Sequence, residues 1–119
     1  MANKILVSIP SIVVSANGTT VSDPVALSSH EFFYAVGQEM SDRTDGTITS
    51  TVQTAISADG PWLTWFGSSG LASDGAKLGF AELANAPSGL LFARISSVAT
   101  SVTTGFSFEA KLVAQDRKL

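Results

Sequence analysis

The sequence predicts an all-β domain: an antiparallel β-sandwich of jelly-roll or immunoglobulin-like type, with about seven to eight strands. Three observations carry this. Turn dipeptides ending in glycine punctuate the chain at Asn17-Gly18, Asp45-Gly46, Asp59-Gly60, Asp74-Gly75 and Ser88-Gly89, and such pairs tolerate the positive φ of tight hairpin turns. The segments between them are short and rich in Val, Ile, Thr and Phe, and several alternate apolar with polar residues, as half-buried strands do. The length, 119 residues, suits one domain that buries roughly 65% of its unfolded surface, and two packed sheets are the usual all-β solution at that size. Residues 1–119 are therefore read as a single domain, with residues 1–10 as an N-terminal arm.

The first segment, "MANKILVSIPSIVVSANG", mimics a secretory signal, but Ser8, Pro10 and Ser11 interrupt its apolar run. It reads as a retained strand region. Pro10 donates nothing to a ladder, so the strand breaks there or lies at a sheet edge. Ile5, Val7, Ile9 and Pro10 make the arm a candidate contact surface. A first hairpin is expected from Ile12–Ser15 through Asn17-Gly18 into Thr19–Leu27. In "HEFFYAVGQ", His30 to Gln38, Phe33, Ala35 and Gly37 face one way and Phe32, Tyr34 and Val36 the other. Both faces are apolar, so cover is expected on both sides, from a second sheet and from a neighbouring chain. A helix over 24–36 is the competing reading.

After the polar loop "SDRTDGT", Thr47 to Ser57 alternates, with Ile48, Val52 and Ile56 on one face. Asp59-Gly60 turns the chain into "PWLTWFG". There Trp62 and Phe66 share a face and are expected in the core, which leaves Trp65 exposed for contact. "SSGLASDGA" is a loop. "KLGFAEL" is a strand with Leu78, Phe80 and Glu82 together, or a short helix over 78–85. Finally "GLLFARISSV" is expected to pair with "GFSFEAKLVAQ", in which Phe106, Phe108, Ala110 and Leu112 point inward and Ser107, Glu109 and Lys111 outward.

Chemistry is scarce. The chain has no cysteine, which excludes a disulfide scaffold, a thiolate metal site and a cysteine nucleophile. The only histidine, His30, is flanked by Ser29 and Glu31, which point to opposite faces of an extended strand and form no triad. Glu39, Asp42 and Asp45 surround Arg43 in a spacing that misses the EF-hand pattern and read as a solvated turn; Asp59 and Asp74 read the same way. Nothing selects two of Glu31, Glu39, Glu82 and Glu109 as a glycosidase pair. "GSSGLASDGAKLG" lacks the Lys-Ser/Thr of a phosphate loop. No catalytic residue, metal or cofactor is expected, and the chain is read as not an enzyme.

Charge narrows the partners. Charged residues are 14% of the chain, against about 25% in typical domains, and Ser and Thr make up roughly a quarter of it. Such a surface costs little to desolvate against a partner; a soluble domain with a Ser/Thr-rich surface is the plainer alternative. The net charge is −3, the pI is near 4.8 and there is no basic stripe, so direct nucleic-acid binding is not expected. No run approaches the 18 or so apolar residues of a membrane span. Tyr34, Trp62 and Trp65 offer aromatic surface for sugar rings, which makes a carbohydrate-binding module the alternative class.

The layout resembles the small β-sandwich virion structural proteins of tailed phages, of the head decoration or cement type. The matching residues are Val52, Ser57, Asp59, Gly60, Trp62 and Trp65 in the hairpin, Leu91, Arg94 and Ile95 in the next strand, and Phe106, Phe108 and Ala110 in the last. The resemblance spans most of Thr19 to Arg117. It implies a non-enzymatic virion component, assembled in the host cytoplasm, that stabilises a capsid by protein contacts. The implied partner is the major capsid protein or another virion protein, such as a tail, neck or coat component. The implied form is a homo-oligomer, a dimer or trimer. Ile5, Val7, Ile9, Pro10, Tyr34 and Trp65 are the candidate interface residues.

Overall fold

Two antiparallel sheets face each other across one core. The structure, a computed structural model, describes residues 3–27, 31–82 and 92–116. Among these it holds nine strands and no helix: β1 (Asn3–Val14), β2 (Gly18–Val21), β3 (Val25–Ala26), β4 (Glu31–Ser41), β5 (Thr47–Ala55), β6 (Leu63–Gly67), β7 (Gly75–Glu82), β8 (Phe92–Thr100) and β9 (Phe106–Asp116). Sheet A runs β1-β9-β4-β7 and sheet B runs β2-β8-β5-β6, with β3 also against β8. The sandwich is as expected, with nine strands in place of seven or eight. The helix alternatives give way to strand wherever the residues are described, since Val25–Ala26 is β3, residues 31–36 lie in β4, and β7 continues to Glu82. Positions 28–30 and 83–85, and with them His30, lie outside the described residues.

Alternation builds the inner faces of β4, β5 and β9. In β5, Ile48, Ser50, Val52 and Thr54 are buried while Thr47, Thr49, Thr51 and Gln53 are half-buried on the outside. In β9, Phe106, Phe108, Ala110 and Leu112 are buried as expected, and in β4, Tyr34, Val36, Gln38 and Met40 are. Ile48, Val52, Ala93, Ile95 and Ala99 close the core from sheet B. Ile56 was expected inward, but β5 ends at Ala55 and Ile56 is left exposed.

Two expected hairpins are not hairpins. β1 pairs with β9 in sheet A, and β2 pairs with β8 in sheet B, so the turn at Asn17-Gly18 is a corner between sheets. Gly18 is not among the left-handed glycines, which are Gly46, Gly60 and Gly75, so the tight hairpin turn expected there does not form. Asn17 instead accepts a 2.9 Å hydrogen bond from the Val102 amide on the β8–β9 connection. That connection is also a corner, since β8 belongs to sheet B and β9 to sheet A. The β5–β6 hairpin forms as expected, its turn held by Gly60 N to Ser57 O at 3.1 Å and Ser57 Oγ to Gly60 O at 2.9 Å.

Candidate binding face

The outer face of sheet A is laid out in rows by its register. One row crosses the whole sheet as Ile5–Val113–Ala35–Phe80, because Ile5 and Ala35 both pair with Val113 and Ala35 pairs with Phe80. All four are apolar. On one side of it lies a row of Gln115, Phe33 and Glu82, and Phe33 and Phe80 stack at 5.8 Å. On the other side lies Ser8, Lys111, Gly37 and Leu78. Gly37 matters for a close approach: a Cβ there would stand 2.9 Å from Leu78 Cδ2, so the leucine leans over the glycine and walls a groove. The next row sets Glu39 directly opposite Glu109.

Two adjoining grooves of about 220 Å³ each follow this pattern and share Ala35, Leu78 and Val113. One ends on Glu39, Glu109 and Lys111, and the other on Phe33 and Phe80. Ile5, Val13, Leu78 and Phe80 are each more than half exposed. Apolar groups side by side on an open sheet face are the feature that needs a reason, since single exposed hydrophobics are ordinary.

Sheet B is more polar outside, although Val21, Leu63 and Val98 on its strands are also exposed, each to less than half. It carries Thr47, Thr49 and Thr51, and at one end Arg94, whose Nε donates to Gln53 Oε1 at 2.8 Å and whose guanidinium lies 4.3 Å over the Trp62 ring. Trp62 thus spends a ring face on a cation–π contact, and it is not the core residue expected of it.

The aromatic contact residues are placed elsewhere than expected. Tyr34 is fully buried. Trp65 packs edge-on against Tyr34 at 5.1 Å and against Phe66 at 4.8 Å, with its indole nitrogen buried. The cause is a bulge. Val52 pairs with Phe66 and Gln53 with Thr64, so Trp65 is an extra residue that the bulge turns inward beside Phe66. Of the N-terminal residues, Ile9 is buried, Val7 half-buried, and Ile5 and Pro10 exposed, all within β1 and its ladder to β9. Phe33, Leu78, Phe80 and Val113 were not singled out as site residues. The alternation that placed Phe33 with Ala35 and Leu78 with Phe80 was the signal that marks them.

The described acidic side chains are spread over turns and the sheet A face. Among the described residues no three of His, Asp and Glu are grouped to hold a metal. Asp45 accepts hydrogen bonds from the Thr103 hydroxyl and from the Thr103 and Thr104 amides, and these hold its carboxyl below the ordinary value. It is a clasp between two loops. Among the described residues no helix is long and apolar enough to cross a membrane.

No protein-family model matches the chain, and no curated protein matches it by sequence. Solved structures do match in shape. The C-terminal family 22 carbohydrate binding module of Clostridium thermocellum Xyn10B superposes with a TM-score of 0.50 at 12% identity, over 98% of this chain and 84% of that one. The N-terminal CBM22-1–GH10 modules of the same organism's endo-1,4-beta-D-xylanase 10B, in complex with xylohexaose, match with a TM-score of 0.46 at 10% identity, over 95% of this chain but only 26% of that one. At such identities the likeness is one of fold: this chain shares the two-sheet antiparallel sandwich of a carbohydrate-binding module.

Proposed function

We propose that this chain is a non-enzymatic binding module that works as a structural component of a larger protein assembly. The virion shell implied by the layout resemblance is its setting. The observation that carries the reading is the open apolar face of sheet A. The core is complete without Leu78, Phe80 and Ile5, which stand in solvent, so their side chains serve a contact outside the fold. Catalysis has no support in the geometry, for the described acidic side chains sit in turns and on an open sheet. Sedimentation of the native chain in its source lysate tests the reading. Migration with particles of megadalton size is the expected result, and migration as a free chain overturns it.

A second reading, a carbohydrate-binding module, is favoured by the fold likeness to the family 22 module. Burial of Tyr34, the packing of a half-buried Trp65 against it and the Arg94 cover on Trp62 count against the aromatic platform proposed for it. The Phe33–Phe80 pair is the aromatic surface that remains. Glycan-array binding lost on Phe80→Ala and kept on Trp62→Ala would establish this second reading in place of the first.

A further inference from the structure

The register of sheet A places charge beside the apolar row in an asymmetric way. Glu39 and Glu109 stand directly opposite each other, where side chains lie about 5 Å apart and like charges destabilise. Among the described residues neither carboxylate forms a hydrogen bond or an ion pair. Glu82 closes the other end of the patch, and among the described residues Lys111 is the one cation lining the groove beside the two glutamates. The face is thus apolar in the middle and acidic at its borders, in a chain that is itself acidic.

We propose that this face binds a protein segment presenting apolar side chains beside a lysine or arginine. The apolar groups seat along Ile5–Val113–Ala35–Phe80 and the cation seats over Glu39 and Glu109. The proposal rests on the reading of the chain as an assembly component and names the chemistry of its partner. Charge complementarity selects this occupant over a second copy. A two-fold axis parallel to the strands lays the apolar row on its twin, but it also lays the Glu39–Glu109 row on its own twin and brings four carboxylates together. A two-fold axis along the apolar row sets Lys111 against Gln115 and Glu82 against Leu78, so neither charge faces a counter-charge. Like-charge juxtaposition of this kind excludes partners as effectively as contacts recruit them. A basic residue from a different surface relieves the carboxylate pair and leaves the apolar contact intact.

The test uses the full isotope-labelled chain and three short synthetic peptides of equal length, alternating leucine–arginine, leucine–glutamate and serine–arginine. The leucine–arginine peptide is expected to shift the amide resonances of Gly37, Glu39, Leu78 and Glu109. It should bind at least about tenfold more tightly than the other two, and lose about tenfold in the double variant Glu39→Gln/Glu109→Gln, as one close charge pair implies. Phe80→Ser, at an exposed position, should weaken it while the fold stays intact. Equal binding of all three peptides, no binding of any, shifts confined to sheet B, or an unchanged double variant overturns the proposal. So does a dimer in sedimentation whose interface is this face. If the chain runs with particles but ignores the peptides, this inference falls and the assembly reading stands. If it binds the leucine–arginine peptide but runs free of particles, the virion setting falls instead.

Discussion

Gln38 hangs from β4 into the core with almost no exposure, and a buried amide is stable only if its polar atoms are satisfied. Its Oε1 accepts from Ser50 Oγ at 2.8 Å, its Nε2 donates to Ser69 O at 3.0 Å, and Ser50 shares a 2.7 Å hydrogen bond with Ser97. This polar seam joins sheet A to two strands of sheet B and fixes how the sheets lie on each other. Gln38→Leu should cost about 1–3 kcal/mol by leaving Ser50 and the Ser69 carbonyl short of partners, and Ser50→Ala added to it should restore part of the loss. Urea unfolding of both variants checks this; a Gln38→Leu chain as stable as the parent would mean the seam does not hold the sheets. Asp45 makes the second prediction at this scale. Its folded pKa is lowered, first by the Thr103 hydroxyl and then by the Thr103 and Thr104 amides. A depressed carboxyl pKa stabilises the fold in full above the unfolded value of about 3.9 and stops doing so as pH falls through the folded value. Thermal unfolding from neutral pH down into that acid range should show a loss that Asp45→Asn reduces. An identical pH profile in the variant would remove Asp45 from the account.

Between elements, the tightest approach is where β6 and β7 bring the edges of the two sheets together. A Cβ on Gly79 would overlap the Gly67 carbonyl, and one on Gly67 would stand 2.6 Å from the Ser50 carbonyl. Backbone cannot retreat as a flexible side chain does, so Gly79→Ala should cost about 2 kcal/mol or more. Hydrogen exchange should then speed up in β6 and β7 before β8; uniform protection would show that the edges do not depend on this contact. The same strands show what was legible beforehand. Alternation in Thr47–Ala55 and the Asp59-Gly60 turn were enough for the β5–β6 hairpin. Trp65 was misplaced because a one-residue bulge reverses facing and leaves no mark in a period-two pattern. The corners at Asn17 and between β8 and β9 were read as hairpins because neighbours in sequence usually pair. Only the distant partner of Asn17, Val102, reveals the crossing. The face of sheet A was half legible. Its residues were sorted correctly onto common faces, but which face would stay open depends on strand order, and strand order is not local information.

For the molecule as a whole, the two outer faces divide the work that composition only averages. Sheet B shows water a threonine-rich surface with Val21, Leu63 and Val98 less than half exposed, whereas sheet A shows it Phe80, Leu78, Val13 and Ile5, each more than half exposed. If that apolar surface serves a partner, removing it must separate stability from binding. Leu78 and Phe80 are 61% and 57% exposed, so Leu78→Ser/Phe80→Ser deletes only a minor share of buried area and should change unfolding free energy by about 1–2 kcal/mol. Phe106→Ser, at a site 1% exposed, removes a buried ring and should cost about 3–5 kcal/mol. In co-sedimentation with the assembly from the source lysate, the double surface variant should remain folded yet stay at the top of the gradient. A surface variant that still sediments with particles would show that the apolar row is not the contact, and would move the search to the exposed edge of β1. A surface variant that unfolds would show that the row supports the sheet itself, and the open face would then lose its claim to function.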